Sequence, residues 1–91
     1  QLADVATNLR LEAAERCMEL SSYARADELA ARVVADDPLR EGAWRLRMRA
    51  AAAVGSSDAV TAIFADCTAA LATIGASPSR ETSALFARLR G

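Results

Sequence analysis

A chain of 91 residues has room for one small domain and lies near the lower limit for a self-sufficient core. Apolar residues make up 53 %, but 23 of them are alanine and aromatics are only 4 %, which excludes a β-rich core and predicts an all-α fold. Eleven cations, every one an arginine, against twelve acids give a net charge of −1, which argues against phosphate binding as the main activity.

The first predicted helix runs from about Leu2 to Leu20. Leu2, Val5, Ala6, Leu9, Ala13, Cys17 and Leu20 follow the three-four spacing of a buried stripe. A second apolar line, Leu11, Ala14 and Met18, is offset from it and must face water, a neighbouring helix or another chain. Glu12 and Arg16 are one turn apart and can pair. Ser22 is placed to cap a second helix that runs to about Asp36, with Ala26, Leu29, Ala30 and Val33 inward. "DDPLREGAW" then reads as a joint: Asp37 as N-cap, Pro38 at the first helical position, and a third helix carrying Ala43, Trp44, Leu46, Met48, Ala50, Ala51 and Val54. Gly55 ends that helix in the left-handed conformation glycine favours. "SSD" starts a fourth, with Val60, Ile63, Phe64, Cys67 and Leu71 inward, and Gly75 closes it. In "GASPSRET", Ser77 caps and Pro78 opens a fifth helix bearing Leu85, Phe86 and Leu89.

Shifting the sequence by 34 residues superimposes two helix pairs without a gap. Ser22 meets Ser56, Leu20 meets Val54, Ala26 meets Val60, Leu29 meets Ile63, Ala30 meets Phe64 and Val33 meets Cys67. That period is the one of tetratricopeptide helix–turn–helix repeats. Trp44, Gly55, Phe64 and Pro38 fall at its tryptophan, glycine, aromatic and closing proline positions. Arg47 stands where a leucine is expected, and Ser21 where the second copy has Gly55. The predicted architecture is therefore all-α and tetratricopeptide-like: two hairpin pairs, about 7–38 and 39–74, and a C-terminal capping helix at about 78–90.

Asp37-Pro38-Leu39-Arg40-Glu41, Ala43-Trp44-Arg45-Leu46, and Gly75 with Pro78-Ser79-Arg80-Glu81-Thr82 carry the chain further. From about Leu9 to Leu89 it resembles the bacterial transcriptional activator domain, a tetratricopeptide-like module of antibiotic-pathway regulatory proteins. The resemblance implies a module that follows a winged-helix DNA-binding domain and acts through protein contacts, including self-association and contacts with transcription machinery. It also implies that this segment corresponds to the second half of a longer module. Gln1 in place of Met agrees with a piece of a longer regulator.

No catalytic constellation is present: there is no histidine or lysine base and no glycine-rich phosphate loop, and the serines sit at helix caps. Cys17 and Cys67 lie in alanine-rich helical patterns with no CxxC or zinc spacing, and read as small core residues in a reducing cytoplasm. The expectation is no enzyme activity, no cofactor and no metal. Ala50 to Val54, the longest apolar run, is far too short to cross a bilayer. Arg40, Arg45, Arg47 and Arg49 crowd one helix, but helical geometry splits them between sides, so nucleic acid is not the expected partner. Arg45 and Arg49, one turn apart, would face the concave groove of the repeat frame. Glu41 can pair with Arg45, and Glu15 could face either arginine. The candidate protein-binding residues are thus Arg45 and Arg49 on the groove, and Leu11 and Met18 for a homodimer contact. A scaffold or dimerisation role outside transcription is the competing expectation.

Overall fold

A computed structural model describes residues 2–91, which form five helices and, among the described residues, no strand. They are α1 (Leu2–Glu19), α2 (Tyr23–Asp36), α3 (Glu41–Ala53), α4 (Ser57–Ala72) and α5 (Arg80–Arg90). Consecutive helices pack on one another, and α3 also touches both α1 and α5. This gives two layers, α1, α3 and α5 on the inner side and α2 and α4 on the outer, in a slab of 37 × 35 × 18 Å. It is the tetratricopeptide-like arrangement of two hairpins and a capping helix.

The core forms two clusters that share α3. Ala14, Leu29, Ala30, Val33, Ala43 and Leu46 join the first hairpin to α3. Trp44, Met48, Val60, Ile63, Cys67, Leu71 and Leu85 join α3 to α4 and α5. Alanine is the means of close approach: Ala14, Ala26, Ala30 and Ala43 are completely buried, which brings backbones together where larger residues would hold them apart. Phe64 is only half-buried, not inward as its spacing predicts. Its ring stacks on Phe86 with centroids 4.1 Å apart, and the Arg90 guanidinium lies 5.3 Å from the Phe86 centroid.

Helix α1 reverses the expected stripes. Leu2, Val5 and Leu9 are 90 %, 53 % and 59 % exposed, and Ala6, Ala13 and Leu20 are exposed too. The buried line is instead Thr7, Leu11, Ala14 and Met18, with Leu11 and Met18 half-buried against the first cluster; of the expected stripe, Cys17 alone packs there, also half-buried. The two lines have similar apolar content, and a threonine in one of them hid the one that packs. Leu20 and Val54, aligned by the repeat, are both exposed because each sits just past the last packed turn.

Three helices end in the same way. Ser21, Gly55 and Gly75 have φ of 59°, 81° and 73°. After each, the next amide reaches back five residues: Ser22 to Cys17, Ser56 to Ala51 and Ala76 to Leu71, at 2.7, 3.0 and 3.0 Å. Ser21 therefore occupies a conformation that strains an L side chain by about 1–2 kcal/mol. Its Oγ accepts a hydrogen bond from the Tyr23 hydroxyl at 3.2 Å, an exposed and modest compensation. Ser21→Gly is expected to raise stability by about 0.5–1 kcal/mol, partly offset by glycine's freedom when unfolded. Thermal melts read this as a rise of several degrees; an unchanged or lower midpoint would show that the strain is not relieved.

Neither proline stands at the first position of a helix: Pro38 lies in the turn before α3, and Pro78 in the irregular segment that leads to Ser79, the residue ahead of α5. Pro38 is the second residue of a turn in which the Arg40 N–H donates to the Asp37 carbonyl at 3.1 Å, and Asp37 Oδ1 accepts the Leu39 N–H at 3.3 Å. Arg40 is the residue before α3, so Asp37 is not its cap. Trp44 Nε1 donates to the Pro38 carbonyl at 2.8 Å and ties the turn to the core. Likewise Ser79, not Ser77, caps α5, its Oγ accepting the Thr82 N–H. Ser22, the remaining predicted cap, makes no side-chain cap bond, whereas Ser56, its counterpart in the repeat, accepts the Ala59 N–H at the start of α4. Arg16 pairs with Glu19 at 2.9 Å in place of Glu12.

Candidate functional site

The inner layer is hollowed between α1, α3 and α5 into an open cleft of about 740 Å³. Helical spacing builds each wall. On α3, Gly42, Arg45 and Arg49 fall three and four residues apart and form one line. On α5, Arg80, Ala84 and Arg88 form another at intervals of one turn, and α1 contributes Glu15. Gly42 and Ala84 keep the walls low. A shallower hollow of about 190 Å³ continues the surface between α1 and α3, bordered by Leu11, Glu12, Glu15, Gly42 and Leu46. The surface thus runs from an arginine-rich end to an acidic end.

Two polar ties hold the cleft open in a defined shape. Arg49 grips Glu15 with both terminal nitrogens, at 3.0 and 3.1 Å, a fork that fixes α3 against α1. Arg45 donates to Thr82 Oγ1 at 2.9 Å and lies 3.6 Å from Glu81, fixing α3 against α5. Thr82 is completely buried, and its hydroxyl donates to Glu41 Oε1 at 2.6 Å. The same carboxylate oxygen accepts the Ser79 N–H at 2.9 Å. Burial alone would raise the Glu41 carboxyl, but hydrogen bonds from Thr82 and Ser79 and the charge of Arg45 outweigh it and hold the group below its ordinary 4.5. Close by, burial and then the Glu41 charge push the Cys67 thiol up to about 11, so it stays protonated and unreactive at neutral pH.

Arg45 and Arg49 stand together on this surface and Leu11 borders its continuation, while Met18 lines neither hollow and packs within the first core cluster. The arginine cluster divides: Arg47 turns to the outer side and pairs with Asp27 at 2.9 Å, and Arg40 reaches Asn8 and Asp37 at 3.2 and 3.4 Å. Glu41 and Arg45 do not pair directly, as their one-turn spacing suggests, but meet through Thr82. That hub was missed because a threonine near a helix start reads as surface. The available signal was Ser79 three residues before Thr82, which fixes where α5 begins. Arg80 and Arg88, the other two cations of the cleft, lie on a helix read only as a cap.

Among the described residues, no group of His, Cys, Asp and Glu is arranged to hold a metal ion, and no helix is long and apolar enough to cross a membrane. Neither the curated proteins nor the solved structures yield a match to the chain. A family model does: the bacterial transcriptional activator domain matches residues 2–90, essentially the whole length. The motifs at Asp37–Leu46 and Pro78–Thr82, the five-helix hairpin array and that match agree that the chain belongs to the bacterial transcriptional activator domain family.

Proposed function

We propose that the chain is a protein-contact module of a bacterial transcriptional regulator, working through the inner face of α1, α3 and α5. The observation that carries this reading is the cleft itself. It is open, its shape is fixed by ties at both edges, and it gathers charged side chains without a base–nucleophile pair or metal cluster among the described residues. Such a surface supplies register and partner choice. A segment with net charge −1 offers little for a DNA backbone, so DNA contact is left to another part of the regulator. We place its action in the cytoplasm, where transcription occurs. The test is fusion to an unrelated sequence-specific DNA-binding domain. Transcription from a promoter bearing that domain's operator should rise, and excess unfused chain should suppress the rise. Output equal to that of the DNA-binding domain alone would overturn the reading.

Self-association is a second reading, favoured by the exposed line Leu2, Val5 and Leu9 on α1. Leu11 and Met18, the residues proposed for it from sequence, give much of their area to the chain's own core, so the contact moves to the outer line. Sedimentation at tens of micromolar should show a dimer that Val5→Glu and Leu9→Glu dissociate; a concentration-independent monomer would remove this reading.

A further inference from the structure

The cleft holds four arginines against two glutamates, in a chain whose overall charge is −1. Its cations are not equivalent. Arg49 is committed to Glu15 and Arg45 to Thr82 and Glu81. Arg80 and Arg88 have no ion-pair partner among the described residues and are exposed. They stand two turns apart on one line of α5, with the small Ala84 between them. Arg80 is also the first residue of α5, where the helix dipole is itself positive. A cation at that end opposes its own helix, so local helix stability does not explain it. What the placement does is add to the positive potential of the cleft.

We propose that the cleft receives an acidic polypeptide segment of a partner protein, with its carboxylates on Arg80 and Arg88. This rests on the reading of the inner face as a protein-contact surface and names the chemistry of the partner. Guanidinium forks match carboxylates in geometry as well as charge, and two unpaired forks about two helical turns apart select a segment with spaced acids. The low floor at Gly42 and Ala84 lets a backbone approach, and the half-buried Leu11 at the cleft's continuation offers an apolar contact beyond the charged end. A nucleic-acid strand fits less well. Its phosphates are closely and continuously spaced, and Glu15 and Glu81 would lie against them.

The test is fluorescence anisotropy of the chain with a labelled peptide of alternating glutamate and alanine, about a dozen residues long. A glutamine–alanine peptide and a short DNA duplex serve as the other arms. The glutamate peptide should bind, weaken with added salt, and lose at least about tenfold in affinity with Arg80→Glu/Arg88→Glu. Both side chains are exposed and their charge reversals act in opposite senses on the α5 dipole, so circular dichroism and melting temperature should stay close to wild type in that variant. Arg32→Glu, on the outer helix α2, should leave binding as it is. No binding of the glutamate peptide, equal binding of the glutamine peptide, an unaltered affinity in the double variant, or tighter binding of the duplex would each overturn the assignment. The reporter fusion separates this failure from that of the broader reading. Activation that persists in Arg80→Glu/Arg88→Glu leaves a protein contact standing without an acidic partner, whereas loss of wild-type activation removes the protein contact itself.

Discussion

Trp44→Ala should cut deeply into the chain's stability and bring it, at the extreme, to the midpoint of unfolding at room temperature. The indole is almost wholly buried in the cluster that joins α3 to α4 and α5, and its N–H holds the Pro38 carbonyl at 2.8 Å. Truncating a buried tryptophan costs about 3–5 kcal/mol through lost transfer energy and the cavity left behind. A chain of this length has a total stability of roughly 5–14 kcal/mol, so the loss takes a large share of it. Trp44→Phe should cost far less in packing but lose the tie to the turn, on the order of 1 kcal/mol. Urea denaturation followed by circular dichroism ranks the three proteins. An alanine variant within about 1 kcal/mol of wild type would mean that Trp44 does not hold the two hairpins together.

Thr82→Val should be the most damaging substitution that conserves shape. It leaves the volume in place and removes the hydroxyl that links Arg45, Glu41 and Ser79. The expected loss is about 1.5–3 kcal/mol at neutral pH, because charged groups lose their partner in a half-buried setting. The pH dependence carries a sign that identifies the mechanism. The folded state holds Glu41 below its ordinary 4.5, so Glu41 contributes stability that is fully present above that value. The contribution disappears as pH falls through the lower, folded value. The difference between wild type and Thr82→Val should therefore be largest at neutral pH and narrow in acid. A difference independent of pH between 7 and 3 would detach Thr82 from the Glu41 carboxylate.

The helices and their breaks were legible in the sequence because the relevant signals are local. Gly55 and Gly75 ended helices where their conformational freedom required, and Ser21, aligned with Gly55 by the repeat, adopts the same left-handed backbone. The positions of Asp37 and Ser77 were misjudged for one reason: the residue before a proline is held out of α geometry, but neither proline opens the helix, which starts after Arg40 in one case and after Ser79 in the other. The inward face of α1 was not legible. Two apolar lines competed on that helix, and only the packing of α2 and α3 decides between them. On the inner surface, Arg45 and Arg49 could be placed from the repeat frame, and their ties to Thr82, Glu81 and Glu15 could not, since those partners come from helices 30 or more residues away. Arg80 and Arg88 read in the sequence only as part of the polar side of a capping helix, together with Glu81 and Arg90. Their shared position on the cleft exists only once α5 folds back beside α3.

The central claim is that the inner cleft makes the contact through which this domain acts, and steric filling tests it without disturbing any cation. Ala84 is exposed on the α5 wall of the cleft, whereas Ala65 is exposed on the outer helix α4 and lines neither inner hollow. In the reporter fusion, Ala84→Trp should abolish activation and Ala65→Trp should leave it intact, with both proteins melting close to wild type. Full activation by Ala84→Trp, or its loss in Ala65→Trp alone, would contradict the account and move the contact to the outer face.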